Sequence, residues 1–383
     1  MKLLSVDKYI DFKCIGDECP ISCCGGNWGI PIDEESFDYY MSVEGDFGDM
    51  LKAGIVRMDG SNVFRLDEKT RDCFFLNENK LCNIYRNLGP DALCETCRTY
   101  PRAFFHAGDI EFCYLANSCP EVNRMIMQRN DHTKILFDDS DINQVKMEDD
   151  ERKRFETAVT ALTTGINMLQ NRDICVSERL YLLLFFVERF QLLMKNGKDV
   201  TDLITLFMNP DLYNLFLESK VCKEYDIVLM IHQFFIIYKS LMADSYNHPM
   251  WKKCIKLSAD ITDNGLKDME YLNKIFMFMD FPEIQTEFEQ ILVYRFFVVF
   301  MQGFRDNDYF DKLAYEINVF EALVTYTALV EAVQGYACAQ EDRILFYSLC
   351  GRIDHSKRQK EQLVNELRRE GLFEMDKLIR LVG

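Results

Sequence analysis

Residues 14–24 read Cys-Ile-Gly-Asp-Glu-Cys-Pro-Ile-Ser-Cys-Cys, so four cysteines fall within one short stretch. They open a series of ten cysteines that all lie in the first 119 residues; the other members are Cys73, Cys82, Cys94, Cys97, Cys113 and Cys119. Dense cysteine in a chain without a visible export signal is more typical of metal binding than of a disulfide framework. This stretch therefore predicts an irregular N-terminal region organised around thiol groups.

The residue types limit which metal these thiols suit. Thiolates select zinc, copper(I) or iron–sulfur clusters. A closed zinc site uses four Cys or His ligands, and a [4Fe-4S] cluster is usually held by four cysteines. Only Cys94 and Cys97 have the CxxC spacing of a zinc knuckle, whereas the vicinal pair Cys23-Cys24 suits a larger cluster buried among loops. Spacing alone leaves zinc and iron–sulfur open, and buried, unligated thiols remain the third interpretation, above all for Cys94 and Cys113.

Composition excludes several classes of protein. The chain has 383 residues, of which 48% are hydrophobic and 28% charged, as in a folded globular protein. The net charge of −18 disfavours a nucleic-acid binder and would attract a partner rich in lysine or arginine. The apolar segments 181–187 and 227–238 are too short to span a bilayer, and no signal peptide is visible. We expect a cytoplasmic protein without a membrane segment.

Beyond the cysteine series, apolar residues recur at the three- and four-residue spacing of packed helices. One such stripe comprises Leu180, Leu183, Leu184, Val187 and Phe190, and a second comprises Phe288, Ile291, Leu292, Arg295 and Phe296. Residues 361–372 read as an amphipathic helix closed by Gly371, and residues 55–66 read as a short hairpin. The predicted fold is mainly α, with an irregular cysteine-rich region packed on a domain of six to ten helices.

The domain boundaries follow from where the cysteine series stops. After Cys119-Pro120 the chain becomes polar, with acidic runs at 138–141 and 148–151. We expect a cysteine-rich metal-binding domain over residues 1–127, a polar connection over 128–154 and a helical domain over 155–383.

A series of short segments, in consistent order over about 110 residues, matches a known pattern. The segments are Phe12-Lys13-Cys14-Ile15-Gly16, Cys19, Ser22-Cys23-Cys24, Trp28-Gly29-Ile30-Pro31-Ile32-Asp33, Cys73-Phe74-Phe75-Leu76, Leu81-Cys82-Asn83-Ile84, Leu88-Gly89, Cys97-Arg98-Thr99-Tyr100-Pro101-Arg102 and Ser118-Cys119-Pro120-Glu121. They resemble the flagellin lysine-N-methylases, which belong to a wider family with zinc- or iron-chelating cysteines. The C-terminal half resembles the family more loosely, through Val293-Tyr294-Arg295-Phe296 and Arg352-Ile353-Asp354-His355.

The resemblance implies methyl transfer from S-adenosylmethionine to the ε-amine of lysine residues on flagellin, by an enzyme that holds a [4Fe-4S] cluster. The metal ligands that it implies are Cys14, Cys19, Cys23, Cys24, Cys73, Cys82, Cys97 and Cys119. Cys94 and Cys113 fall outside the family pattern and are treated as extra thiols. Transfer to an amine from a sulfonium is an in-line displacement that needs positioning more than covalent chemistry. No radical step is required, in agreement with the absence of a CxxxCxxC signature: Gly26 stands where its third cysteine would be.

Candidates for the chemistry outside the cysteines come from the same segments. Tyr294 is a candidate base or orienting group, and Asp354 with His355 is a candidate acid–base pair. Equally, Tyr294 fits the core face of a helix, and Asp354 fits a helix cap.

Four further residues are candidates for holding the methyl donor: Arg295, Arg98, Arg102 and Trp28. Arg295 suits a carboxylate, and Arg98 and Arg102, beside Cys97, suit either a carboxylate or neutralisation of the negative charge of the cluster. Trp28 suits either a hydrophobic wall or a cation–π partner for the sulfonium.

The alternative function is a non-catalytic metal-cluster protein or a zinc-stabilised protein-interaction module.

Overall fold

The structure, a computed structural model, describes residues 2–7, 9–25, 28–58, 60–107, 110–137, 148–218, 225–242, 282–334 and 337–383. Its strands are β1 (Lys2–Val6), β2 (Ile55–Met58), β3 (Ser61–Phe64), β4 (Arg102–Ala107), β5 (Ile110–Leu115) and β6 (Ile135–Phe137). The helices of the first 130 residues are α1 (Glu34–Ser42), α2 (Gly45–Ala53), α3 (Asn83–Leu88), α4 (Glu95–Thr99) and α5 (Pro120–Met127). The later helices are α6 (Asp149–Leu169), α7 (Val176–Lys195), α8 (Thr201–Phe207), α9 (Tyr213–Glu218), α10 (Ile227–Met242), α11 (Pro282–Asp306), α12 (Phe310–Gln334), α13 (Gln340–Arg352), α14 (Lys357–Arg369) and α15 (Met375–Val382).

This architecture confirms the mainly α fold. The two predicted apolar stripes lie on α7 and α11, and all their members are buried. The predicted amphipathic helix is α14, which ends two residues before Gly371, where φ is +70°. Because glycine adopts a positive φ without strain, that position suits the end of a helix.

A four-stranded sheet, which the sequence did not predict, occupies the N-terminal third. Its strand order is β4-β5-β1-β6, with β1 parallel to β5 and antiparallel to β6. The buried face of β1 carries Leu4 and Val6, which pack in the same hydrophobic core as the C-terminal helices. The sheet thus attaches the N-terminal third to the helices.

The cysteine-rich segment forms a smaller lobe with a hydrophobic cluster of its own, which we call the thiol lobe (residues 28–97). Tyr40 and Phe75 are fully buried at its centre, and the Tyr40 hydroxyl donates to the carbonyl of Ala92 at 2.7 Å. The predicted hairpin is present as β2 and β3, paired from Ile55 opposite Phe64 to Met58 opposite Ser61. The sequence pattern Val63-Phe64-Arg65-Leu66 predicts the second strand at 63–66, whereas β3 begins two residues earlier, at Ser61.

The hydrophobic core crosses the predicted boundary at residue 127. It runs from Leu4 and Phe112 in the sheet to Phe155 on α6 and on to the C-terminal helices. Within the predicted connection 128–154, residues 135–137 form β6 of the sheet, whereas 138–147 lie outside the described residues. The three-part domain division stays a prediction. Cys222 and Cys254 also lie outside the described residues, as does the dipeptide His248-Pro249, whose proline predicts a break between helices.

One helix among the described residues, Phe310–Ala332, is long and apolar enough to cross a membrane. Every residue of its apolar window is buried inside the protein, as is usual for the central helix of a large core. The two segments picked out as most apolar in the sequence, 181–187 and 227–238, lie on α7 and α10 and also face the core.

Glu321 lies in the middle of this central helix and is only 2% exposed. Its Oε2 atom has no hydrogen-bond partner, and burial raises the pKa of the carboxyl well above its ordinary value of 4.5. A carboxyl that stays protonated avoids placing a bare charge in the core. The folded state therefore holds a proton that the unfolded chain releases above about pH 4.5.

Glu321→Gln is expected to stabilise the protein by roughly 1–2 kcal/mol at pH 8. The glutamine amide is neutral at every pH, so folding at pH 8 no longer requires this side chain to take up a proton. In the unsubstituted protein the folded state binds one more proton than the unfolded chain. The contribution of Glu321 to the free energy of unfolding therefore falls as pH rises above about 4.5. Urea unfolding of both proteins between pH 5 and 8 measures the effect. The exposed Glu156→Gln is the control, and parallel stability curves for native protein and Glu321→Gln would contradict the prediction.

Candidate functional site

A cavity of about 530 Å³ opens where the thiol lobe meets the sheet and the C-terminal helices. Its walls come from Trp28, from the segments around 95–104 and 114–118, and from residues 295–302 and 351–360. Five of the seven non-cysteine candidates line it: Trp28, Arg102, Arg295, Asp354 and His355. Residues more than 300 positions apart in sequence therefore share one concave surface, which makes this cavity the candidate functional site.

One wall of the cavity is aromatic. The rings of Trp28 and His355 lie 3.9 Å apart between centroids, and Tyr100 meets Trp28 edge-on at 5.3 Å. The Trp28 indole Nε1 donates to the carbonyl of Cys23 at 2.6 Å, which fixes the ring against the cysteine loop. Trp28 therefore links the cysteine loop to the cavity while its ring contributes to the cavity wall.

Ser118 connects two sides of that wall. Its hydroxyl lies 2.6 Å from His355 Nε2 and 3.0 Å from the Tyr100 hydroxyl, and the residue is 1% exposed. Burial lowers the pKa of His355 to about 4, with Arg352 acting in the same direction and Asp354 against it. Water still reaches the imidazole from the cavity. His355 is therefore neutral at pH 7.

Asp354 is the centre of an ion-pair network. Its carboxylate lies 2.7 Å from Lys360 Nζ and 3.7 Å from Arg295, and it accepts a hydrogen bond from the Tyr315 hydroxyl at 3.3 Å. Burial alone would raise the pKa of Asp354, but Lys360 and Arg295 outweigh it and hold the pKa below its usual value. Asp354 is therefore an ionised, fully engaged carboxylate. The helix that follows is capped by Ser356, whose hydroxyl accepts from the Gln359 backbone, so Asp354 is not the cap.

Arg295 reaches the cavity from the buried helix α11, but its guanidinium is occupied. It forms a two-point ion pair with Glu316, with Nε 2.8 Å from Oε2, and Nη1 donates to Asn117 Oδ1 at 3.3 Å. Both members of the pair are 6% exposed. Burial works against the charged form, yet Glu316 raises the pKa of Arg295 well above its ordinary value. This pair ties α11 to α12 behind the cavity.

The two remaining candidates lie elsewhere. Tyr294 is buried in the core, where its hydroxyl contacts both the N–H and the carbonyl of Leu115 and anchors β5. Burial raises the pKa of this phenol above its usual range. Arg98 is exposed on α4 and does not line the cavity.

Arg102, by contrast, opens β4 at the cavity. One of its Nη atoms donates to the Phe12 carbonyl at 3.0 Å, and its guanidinium lies 5.4 Å from the Phe12 ring. Among the described residues, no carboxylate comes within 4 Å of this guanidinium. Arg102 thus differs from Arg295 in carrying a charge that is not already neutralised by an ion pair.

The cysteines lie behind the aromatic wall, and no cysteine among the described residues lines the cavity. All of those described are free thiols. One group packs in the thiol lobe, where the Cys73 backbone N–H donates to the Cys24 carbonyl at 2.6 Å and the Cys94 and Cys97 thiols are neighbours. Cys82 packs against the same cluster.

A second group comprises Cys14, Cys19, Cys23 and Cys119, which lie near one another, and Cys23 is also a neighbour of Cys24, Cys73 and Cys82. Burial raises the pKa of the Cys119 thiol to about 12, and the neighbouring Cys19 and Cys23 add to this. Cys113 belongs to neither group: it lies on β5, beside Tyr9 and Glu111. Within the described part of the chain, no three Cys, His, Asp or Glu side chains converge closely enough to hold a metal ion as they stand.

Residues 163–381 match the family described as "FliB lysine N-methylase C-terminal domain", and the chain belongs to this family. The chain is also 29% identical over 125 residues to the "Flagellar biosynthetic protein FliU" of Salmonella muenchen, a match that covers 31% of this chain and 73% of that protein. It has the same identity over 125 residues to the "Lysine-N-methylase" of Salmonella typhimurium and to that of Salmonella choleraesuis, covering 31% of this chain and 31% of each relative. The match thus spans about a third of these two methylases. No solved structure matches the chain.

Sequence reasoning missed Tyr100, Ser118, Lys360 and Glu316 as parts of the site. Tyr100 and Ser118 lie inside quoted segments beside Cys97 and Cys119, so those segments held the signal. Lys360 and Glu316 lie on helices with no local motif, and only helix packing brings Lys360 to the cavity and Glu316 to Arg295 behind it.

Glu316→Gln is expected to destabilise the fold by about 3 kcal/mol, because the buried Arg295 loses its two-point ion pair and keeps only the longer 3.7 Å contact with Asp354. Urea unfolding at pH 7 measures the loss. The control is Glu341→Gln, which breaks a partly exposed pair with Arg124 and is expected to change stability by less than about 1 kcal/mol. Equal losses in the two variants would show that the buried pair is not special.

Proposed function

We propose that this protein is a protein-lysine N-methyltransferase that moves a methyl group from S-adenosylmethionine to lysine ε-amines of flagellin, at the cavity between the thiol lobe and the helices. Its membership of the lysine N-methylase family supports the reaction class. The observation that carries the proposal is that Trp28, Arg102 and His355 meet in one cavity with an aromatic wall. The resemblance of the N-terminal segments suggests flagellin as the substrate, and a cytoplasmic location would give access to it before export.

The cavity offers what methyl transfer from a sulfonium needs. Both the sulfonium and an approaching lysine are cationic, and aromatic faces attract cations. Trp28, Tyr100 and Tyr114 supply such rings on one side. Arg102 is suited to the carboxylate of the methyl donor because its charge has no carboxylate partner nearby, whereas Arg295 is occupied by Glu316. The net charge of −18 favours encounter with a lysine-bearing surface.

The implied [4Fe-4S] cluster fits the chemistry of the thiols that are present. The eight family-matching cysteines are free, are mostly buried or half-buried, and lie in two adjoining groups, with Cys23 next to members of both. Either group offers four soft donors, the number such a cluster takes. Because no cysteine among the described residues lines the cavity, we assign the cluster a supporting role behind Trp28 rather than contact with the methyl donor. Its own chemistry, when bound, would be to fold and hold the cysteine loops.

The transfer itself is tested with anaerobically purified protein, labelled S-adenosylmethionine and recombinant flagellin, followed by mapping of labelled lysines. Arg102→Gln is expected to raise KM for S-adenosylmethionine about tenfold with a smaller change in kcat, because a charged hydrogen bond to the donor carboxylate is lost. The exposed Arg86→Gln serves as control. An unchanged KM in Arg102→Gln would remove Arg102 from the binding site. Binding of the donor without transfer would favour the non-catalytic alternative.

Measuring the metal content of single cysteine variants is expected to separate the N-terminal cysteines that bind the cluster from those that do not. Cys97→Ser should lose most of its iron and inorganic sulfide, because the family pattern makes Cys97 a ligand. Cys94→Ser and Cys113→Ser should keep them. Cys94 is the sharp control, since its thiol is a neighbour of Cys97 and is fully buried in the thiol lobe. Iron, sulfide and visible absorbance of anaerobic preparations report the outcome. Stoichiometric zinc without sulfide in the native protein would overturn the cluster assignment.

A further inference from the structure

His355 presents one ring nitrogen that the protein leaves unused. Nε2 contacts the Ser118 hydroxyl, whereas Nδ1 has no hydrogen-bond partner among the described residues. The residue lines the cavity and is exposed to it, with one face of the ring held by Trp28 at 3.9 Å. A ring fixed on one face and at one nitrogen keeps its second nitrogen available to a ligand.

The contacts of Ser118 allow a fully hydrogen-bonded arrangement with one tautomer. Ser118 is buried, so its own hydrogen must go to one of its two neighbours, His355 Nε2 or the Tyr100 hydroxyl. When His355 Nε2 donates to the Ser118 oxygen and Ser118 donates to the Tyr100 oxygen, the imidazole carries its hydrogen on Nε2, and Nδ1 is a bare acceptor. Tyr100 lines the cavity, where its own hydroxyl hydrogen can be donated to water.

His355 and Asp354 are poor bases for the substrate ammonium, and His355 can instead accept a hydrogen bond from the neutral amine. A lysine ammonium has an ordinary pKa of about 10.4, so proton transfer to an imidazole whose pKa lies below its ordinary 6.5 is unfavourable by at least several thousandfold. Asp354 is no better, because Lys360 and Arg295 already neutralise it. The proton must leave to water, and what the neutral amine then needs is orientation of its lone pair.

We infer that His355 is a neutral hydrogen-bond acceptor for the substrate amine, through Nδ1, and that Ser118 and Tyr100 are positioning residues that hold its ring in the Nε2-protonated tautomer. This inference rests on the proposed function. The substrate ammonium first loses a proton to water, and one N–H of the resulting amine then donates to Nδ1. The nitrogen lone pair attacks the methyl carbon of S-adenosylmethionine. The N–C bond forms, the C–S bond breaks with its electron pair staying on sulfur, and a methylated ammonium and a neutral thioether result.

The charged surroundings of His355 bear on its titration. Asp354 and Arg352 flank it on its own segment, and Lys360 follows on α14. From the other elements, Arg102, Arg295 and Glu95 line the same cavity, and Tyr100 and Ser118 face the ring directly. An uncharged imidazole adds no positive charge to a site meant to receive a sulfonium and an amine.

The tautomer is tested without substrate, by nitrogen NMR of protein labelled in its five histidines. His355→Gln identifies the signal. We expect an Nε2-protonated imidazole that stays neutral down to about pH 5 in the native protein, and a shifted, mixed pattern in Ser118→Ala. Ser348→Ala, which removes a buried hydroxyl outside the cavity, should leave the signal unchanged. An Nδ1-protonated ring in the native protein would overturn the inference.

The acceptor role is tested by the conservative variant. Glutamine offers an N–H to Ser118 and a carbonyl to the amine, so His355→Gln should keep kcat within about tenfold of the native value, whereas His355→Ala should lose about a hundredfold. In native enzyme and in His355→Gln, kcat/KM should rise with pH in parallel as the substrate amine loses its proton. If His355→Gln were as inactive as His355→Ala, or if kcat/KM of His355→Gln no longer rose with pH, His355 would be acting as a base and the inference would be overturned. Should the native protein transfer no methyl group at all, the proposed function fails while the NMR result still decides the tautomer.

Discussion

The close contact between the end of α13 and the corner that joins β5 to α5 is the constraint on which the site depends. A Cβ atom at Gly351 would lie 2.6 Å from the Ser118 backbone nitrogen and 2.8 Å from the Asn117 carbonyl carbon. Such distances would force the two backbones apart, so only glycine permits this approach. The contact places Ser118 beside His355 and Asn117 beside Arg295. The next residue, Arg352, reaches the carbonyls of the cysteine loop, at 3.2 Å from Ser22 and 3.4 Å from Gly25.

Three buried arginines in the helical core are each paired with a buried glutamate. Arg295 pairs with Glu316, Arg343 with Glu287 and Arg179 with Glu289, and all six side chains are mostly or wholly buried. Each pair joins two different helices or elements, so the ions fix how helices rotate relative to one another rather than adding much net stability. Because the pairs are neutral, the net charge of −18 resides on the remaining groups, and the core adds little to the field that a cationic substrate meets.

The sequence was most informative where a signal was local. Periodic leucine and phenylalanine predicted α7 and α11, and Gly371 marked the end of α14. The sheet escaped prediction because its strands are short and pair across more than a hundred residues, as β1 does with β5. In the site, segments beside the cysteines identified Trp28 and Arg102, yet the same reasoning could not separate a free arginine from one bound to Glu316. That distinction depends on a helix 21 residues further along the chain.

Trp28 shows how the thiols and the cavity belong to one arrangement. Its indole N–H is bound to the backbone of Cys23, and its ring packs on His355. Arg352, which lies three residues before His355, donates hydrogen bonds to two carbonyls of the same cysteine loop. Hydrogen bonds from Arg352 thus hold the loop between Ser22 and Gly25 against the helical part, and the loop in turn orients the Trp28 ring in the cavity wall. A change in the backbone of this loop would move both the Trp28 ring and the turn of His355, even though no thiol among the described residues reaches the cavity itself. Order in the cysteine loops is therefore a physical condition for the geometry of the site.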